Sequence, residues 1–225
     1  MYYLKLKRIL DAVVALLGLL LAAPLFILVA LAIRLDSAGP AFFSQKRLSR
    51  NGRMFRMYKF RTMRVGAERQ GTGLFNYKND PRVTKVGRFL RNTSLDEFPQ
   101  LYNVLKGDMT LVGPRPPVWY ELGDYATLNR TYRKRFEVLP GMTGLAQVHG
   151  RNDLPWQEKV VFDNRYVDLI KKKGLMLDLS ILFRTFVSCF SSKSVYEQET
   201  GETDESVIAR AHADENDTDN GENNG

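Results

Sequence analysis

The stretch Ala12–Ile33, AVVALLGLLLAAPLFILVALAI, runs for 22 residues without a charge, and its reading decides the architecture of the chain. At about 1.5 Å per residue a straight helix of this length reaches about 33 Å, close to the roughly 30 Å of a bilayer's hydrocarbon core. It is too long for the core of a signal peptide, and no small-residue cleavage site follows it. Pro24 sits near the middle, where it removes one backbone hydrogen bond and crowds the carbonyl four residues earlier, so a break is expected there. Lys5, Lys7 and Arg8 precede the run, and Lys46, Arg47, Arg50, Arg53, Arg56, Lys59, Arg61 and Arg64 follow it. Both flanks favour the cytoplasmic side. A helix broken at Pro24 that enters and leaves by one face satisfies both flanks; an ordinary kinked span is the alternative, because proline is tolerated in membrane helices.

Outward from this run the charge is divided. Residues 1–194 carry 32 basic and 15 acidic side chains, whereas residues 195–225 carry one basic and ten acidic, so the overall +8 hides a cationic body and an anionic tail. A mean hydropathy of −0.28 likewise averages the apolar run away. Cys189 is the single cysteine, which excludes an internal disulfide framework and a Cys-rich zinc site and suits a reducing compartment. The tail has too few large apolar residues to offset chain entropy and is expected to be disordered.

Between these ends, residues 41–65 alternate apolar and basic side chains around Asn51-Gly52, the pattern of a short β-hairpin. Residues 66–81 read as a polar loop. Helical periodicity over 82–107 breaks near Asn92–Ser94 and restarts at Leu95. MTLVGPRPPVWY is a short strand entering a proline-stiffened turn. Residues 117–138 read as helical, and Trp156–Ile170 and Leu175–Phe190 as two further helices; the last is either an interfacial or a buried core helix.

Chemistry has few vehicles. His149 and His212 are the only histidines, so a serine triad or a histidine metal site has almost nothing to work with, and the absence of GxxxxGK[ST] and GxGxxG removes the common nucleotide loops. Carboxylates, arginines and lysines remain. The folded part has one adjacent acidic pair, Asp96-Glu97. Ser94-Leu-Asp-Glu97 matches a capping box at a helix start. A carboxylate there, near Lys59, Arg61, Arg88, Arg91 and Arg115, could equally be a nucleophile or a Mg²⁺ ligand in phosphate chemistry, and the pattern alone does not separate the two.

Several runs together carry a resemblance: Asp11 and Pro24 in the apolar segment, Tyr58-Lys-Phe-Arg-Thr-Met63, Ser94-Leu-Asp-Glu-Phe-Pro-Gln through Lys106-Gly-Asp-Met109, Leu111-Val-Gly-Pro-Arg-Pro116, Pro140-Gly-Met-Thr-Gly-Leu-Ala-Gln-Val148 and Gly150-Arg-Asn152. Over about residues 1–190 the chain resembles the bacterial sugar transferases, the monotopic polyprenyl-phosphate phosphoglycosyl transferases. The resemblance implies transfer of a sugar-1-phosphate from a UDP-sugar to undecaprenyl phosphate with release of UMP, as the first membrane step of glycan assembly. It implies Asp96 as nucleophile through a covalent phosphosugar intermediate, with Glu97 and Asp96 holding Mg²⁺. Lys59, Arg61, Arg91, Arg115 and Arg151 become phosphate or nucleotide contacts, Pro24 the hairpin break, and Arg88, Asp163 and Asp178 further candidates. Lys59 and Arg61, two residues apart in an extended strand, are expected to face the same way. Ala23 stands where many relatives have serine before the proline, and His149 where they often carry asparagine or serine; the latter is read as a satisfied loop residue.

The expected fold is thus α+β and mainly helical: a monotopic membrane protein with a re-entrant N-terminal helix, interfacial helices and a small β element. Residues 1–38 form the anchor, 39–194 a membrane-associated catalytic domain on the cytoplasmic face of a bacterial inner membrane, and 195–225 a disordered tail whose removal is expected to leave catalysis intact. UDP-sugar, polyprenyl phosphate and anionic lipids are the expected partners, with a homodimer or a downstream glycosyltransferase compatible with the role and no nucleic acid. The rival reading is a membrane-tethered basic nucleic-acid-binding protein, suggested by the interleaved basic and aromatic residues of 42–64.

Overall fold

A computed structural model describes residues 2–67, 80–150, 154–190 and 204–213. The chain is mainly helical, with two small two-stranded sheets among the described residues. Helix α1 spans Tyr2–Asp36 with Pro24 inside it. The helix is not interrupted at Pro24. Proline removes a single rung of the backbone ladder, and the leucine- and alanine-rich sequence on both sides continues the helix through it.

The buried face of α1 explains how it sits. Asp11, Ala15, Val29 and Ile33 are buried, and Phe26 and Ala30 are partly so, a spacing of three and four residues that marks one stripe. The opposite faces leave Leu16, Leu17, Leu20, Leu21, Ile27, Leu28 and Leu31 exposed. Gly18 lets the helix approach Leu101, whose side chain a Cβ would press.

The first sheet is the anticipated hairpin: β1 (Phe42–Leu48) pairs antiparallel with β2 (Met54–Phe60), in register from Phe42 opposite Phe60 to Leu48 opposite Met54. Its connection places Asn51 at φ 58° and Gly52 at φ 75°, left-handed values that suit Asn-Gly. The periodicity break is also present, with α2 (Lys85–Asn92), a 3₁₀ turn (Leu95–Glu97) and α3 (Gln100–Lys106) in succession. A parallel pair follows, β3 (Thr110–Val112) beside β4 (Gly141–Thr143). Gly141 permits this close approach, since a Cβ there would strike the backbone of Gly113.

Residues 117–138 are not one helix. Asp124 and Asn129 each turn a side-chain oxygen back onto a backbone N–H two or three residues ahead, restarting the chain as a 3₁₀ turn (Tyr125–Thr127) and then α4 (Arg130–Lys134). Three helices complete the family-like region: α5 (Leu145–Gly150), α6 (Trp156–Lys173) and α7 (Leu175–Phe190). Of the two alternatives for α7 neither is complete: Leu177, Asp178 and Ile181 are buried, while Met176, Leu179, Phe183, Phe186 and Val187 form an exposed apolar face.

The tail supplies a correction. Residues Asp204–His212 form helix α8, and its Val207 and Ala211 lie in a core cluster with Leu48, Leu122, Leu128, Tyr132 and Phe136. Composition argued for disorder over the whole acidic segment. A local apolar pair one helical turn apart was enough to dock this part of it.

Candidate active site

Glu97 is the centre of a cation clamp. Lys59, next to the last residue of β2, donates to its Oε1 at 2.8 Å, and Arg115 donates from Nη2 to the same oxygen at 2.8 Å. The Arg115 Nη1 contact with Oε2 is a weak 3.5 Å, so that oxygen keeps acceptor capacity. Adjacent Asp96 is 8% exposed, yet its carboxylate accepts no hydrogen bond from any described residue.

The capping box is overturned by this geometry. Ser94 is left-handed, at φ 57° and ψ 15°, and its side chain caps nothing, while Glu97 reaches across to β2 and the proline loop. A non-glycine residue in that region costs about 1 kcal/mol or more, and it stands two residues from Asp96. The surroundings hold the arrangement. Buried Asn103 accepts from the Tyr58 N–H at 3.0 Å and donates to the Arg56 carbonyl at 2.7 Å, tying α3 to β2 beside Lys59. Arg47 donates to the Pro116 carbonyl and Arg135 to the Arg115 carbonyl, at 2.9 and 2.6 Å, so the backbone of the clamp arginine is held from both sides.

Electrostatics drive the two acids apart. Burial, reinforced by the charge of Glu97 and only partly offset by Lys59, pushes the Asp96 carboxyl up to about 6. Burial would raise Glu97 as well, but Arg115 and Lys59 overcome it and hold that carboxylate well below the usual range. Burial lowers the Lys59 ammonium, against the attraction of Glu97. Two neighbouring carboxylates with separated pKa values divide the labour: one permanently charged anchor and one titratable, unpartnered group.

Of the other expected contacts, Arg91 is near enough to favour the Asp96 anion and donates to Thr62 Oγ1 at 2.8 Å. Arg61 is not in this cluster. It lies just past the end of β2, and its guanidinium donates to the carbonyls of Ala38 and Ser37, both at 2.7 Å, closing the C-terminal end of α1. Lys59 and Arg61 therefore serve different neighbours despite their spacing. Arg88 is exposed on α2, and Arg151 lies outside the described residues. Asp163 pairs with buried Arg135 at 2.8 Å, and Asp178 with buried Lys7 at 2.6 Å. His149 donates from Nδ1 to the Leu145 carbonyl at 2.7 Å and stacks on Phe162, as befits a satisfied residue.

Among the described residues no group of three or more His, Cys, Asp or Glu side chains gathers. The carboxylate pair nevertheless fits Mg²⁺, a hard cation that commonly takes one or two protein carboxylates and completes its shell with water and substrate phosphate. The unengaged Asp96 oxygens and Oε2 of Glu97 would be the donors.

The bacterial sugar transferase family model matches residues 2–192. The chain belongs to this family. Among its relatives, the galactosyl transferase CpsE of Streptococcus agalactiae serotype III is 48% identical over 190 residues, covering 80% of this chain and 41% of the relative. The undecaprenyl-phosphate galactose phosphotransferase of Salmonella typhimurium is 44% identical over 194 residues, 80% of this chain and 39% of the relative. The exopolysaccharide production protein ExoY of Sinorhizobium fredii is 38% identical over 205 residues, 84% of this chain and 88% of the relative. The chain thus spans about two-fifths of the length of the first two and most of the third. Asn103, Arg47 and Arg135 support the site without having been expected there from the sequence. The available signal was faint: a polar residue within the apolar run Leu101–Leu105, and arginines indistinguishable from solvated ones.

Proposed function

We propose that this sugar transferase moves a sugar-1-phosphate from a UDP-sugar to polyprenyl phosphate, undecaprenyl phosphate in a bacterial membrane, and releases UMP. The observation that carries the reading is the unpartnered Asp96 carboxylate beside a Glu97 fixed by Lys59 and Arg115. An Asp96 oxygen attacks the β-phosphorus; the bond from that phosphorus to the bridging oxygen breaks, and UMP leaves with the electron pair. The lipid phosphate oxygen then attacks the same phosphorus and expels Asp96, giving polyprenyl diphosphosugar and the free carboxylate. Lys59, Arg91 and Arg115 offset the repulsion between an anionic nucleophile and an anionic diphosphate. Asp96 and Glu97 would hold Mg²⁺, which would supply further neutralisation of phosphate charge. With its pKa raised only to about 6, Asp96 is largely ionised at neutral pH without a separate base.

The membrane reading is monotopic, with α1 bending at Pro24 while staying helical so that it enters and leaves by one face, and with the active site on the cytoplasmic side. Its support is that both ends of α1 are fastened to the same body. Arg8 donates to the carbonyls of Val104 and Leu105 near one end, and Asp36 accepts from the Val86 N–H at the other. A spanning helix would drag α2 and α3 into hydrocarbon, where their polar groups are costly. The exposed leucines of α1 and the apolar face of α7 are the surfaces left to meet lipid, and the cationic body suits an anionic leaflet. The nucleic-acid alternative loses ground because Arg47, Lys59 and Arg61 of its basic stripe are engaged by internal acceptors.

The test is turnover in nanodiscs with Mg²⁺, polyprenyl phosphate and a panel of UDP-sugars, reading UMP and the mass of an acyl-phosphate adduct on Asp96. UMP release by wild type and none by Asp96→Asn supports the mechanism. Equal rates for the two would sink it.

A further inference from the structure

Helix α8 lies beyond the family-matched residues, yet its docking is built in detail. Its C-terminal end is closed by the body. The Asn129 side chain donates to the carbonyls of Arg210 and Ala213 at 3.1 and 3.2 Å, and the Asn129 backbone N–H donates to that of Ala211 at 2.8 Å. His212 bridges the Leu122 carbonyl and Thr127 Oγ1, both at 2.8 Å. These bonds satisfy carbonyls that a free helix end would leave to water. Val207 and Ala211 fill a groove walled by Leu122, Leu128, Tyr132 and Phe136.

The same groove wall carries Arg135, next to Phe136. Its guanidinium is buried, pairs with Asp163, lies 4.8 Å from the Trp156 ring centroid and donates to the Arg115 carbonyl. A continuous series of contacts therefore runs from α8 through Tyr132 and Phe136 to Arg135, and from there to the backbone of the arginine that clamps Glu97. We propose that residues 204–213 act as a positioning element of the active site, a helix docked in cis that holds the 122–136 segment and, through Arg135, fixes Arg115. Its catalytic consequence rests on the transfer reaction proposed above; its structural consequence does not.

Two variants test it in the full enzyme: Val207→Asp with Ala211→Asp, which places charge in the groove, and a chain ending at residue 203. Hydrogen exchange by mass spectrometry, read separately over 122–136 and over 110–120, is the arm independent of turnover. Both segments are expected to exchange faster in both variants, kcat/KM for the nucleotide sugar to fall about tenfold, the factor equivalent to about 1.4 kcal/mol, and a synthetic 204–213 peptide added to the truncated enzyme to restore protection and rate. Faster exchange confined to 122–136 with unchanged kcat/KM would overturn the proposal, leaving α8 a cover for an apolar groove. If wild type shows no transfer at all, the reaction assignment fails, while exchange over 110–120 still decides whether α8 positions Arg115.

Discussion

Two clusters of carboxylates and cations lie in this protein, and they are finished differently. Around Asp178, every group has a partner: Lys7 at 2.6 Å, Tyr3 at 2.7 Å and Tyr166 at 2.9 Å, with Asp11 receiving Thr110 and lying 3.5 Å from Lys7. That cluster ties the N-terminal half of α1 to α6, α7 and β3. Around Asp96, cations are in excess and converge on Glu97, while Asp96 itself is left open. A saturated polar cluster fixes geometry, because each lost partner strands another buried group. An unsaturated one retains a lone pair for a ligand. The same residue types thus hold the anchor in one place and offer chemistry in the other.

The contrast breaks most visibly at the two aspartates. Asp96→Asn should lower turnover by at least about 10³-fold, as removal of a nucleophile does, yet leave the unfolding midpoint at or above wild type, since a buried, unbonded charge disappears. Asp178→Ala should do the reverse: it takes the 2.6 Å partner from the buried Lys7 ammonium and the acceptor from the Tyr3 hydroxyl, while Tyr166 keeps the Val112 carbonyl, and destabilises by about 3–5 kcal/mol. Thermal unfolding in detergent beside UMP release separates the outcomes. A stable Asp178→Ala, or an unfolded Asp96→Asn, would erase the distinction between the clusters.

A smaller effect belongs to Arg61, which the family resemblance assigned to the site and whose guanidinium bonds the end of α1. Arg61→Ala removes charge-assisted bonds worth about 1.5–3 kcal/mol and should loosen the C-terminal turn of α1, read as faster hydrogen exchange over 33–38, with a weaker effect on nucleotide-sugar KM than Arg115→Ala. A larger rise in KM for Arg61→Ala would return this residue to the substrate.

The legible part of the molecule was the part encoded locally. The charge-free run of α1, the Asn51-Gly52 hairpin, the break before Leu95 and the Asp96-Glu97 pair each show in a few neighbouring residues. Partnerships were not legible. Nothing in the spacing distinguishes Lys59, which meets Glu97 38 residues away, from Arg61, which meets the carbonyls of Ser37 and Ala38. The capping box failed for the same reason: Ser94 and Glu97 have the local pattern, but two cations from distant strands and loops attract Glu97 more strongly than a neutral backbone N–H. Helix α8 was hidden because average composition outweighed Val207 and Ala211, whose groove exists only after residues 122–136 fold.

The finest comparison is within the active pair, by pH. Asp96 attacks only when ionised, so activity should rise with pH along an acidic limb; burial pushes the carboxyl up to about 6, and a cation held at the pair would draw the limb below that value. Lys59→Met removes a cation that favours the Asp96 anion and must move the limb upward. Glu97→Gln removes a repelling charge and releases Lys59 and Arg115 toward Asp96, so its residual activity should show the limb moved downward. Stability follows with opposite signs. The folded state retains a proton on Asp96 that the unfolded chain loses near pH 4, so this group's contribution falls as pH rises toward about 6. Glu97, held low, contributes above the unfolded carboxylate pKa and loses that contribution as pH falls below it. Measured kcat/KM profiles of the three proteins between pH 4.5 and 8 decide the assignment: limbs that move together, or not at all, would mean that the titrating group is not the carboxylate between these two neighbours.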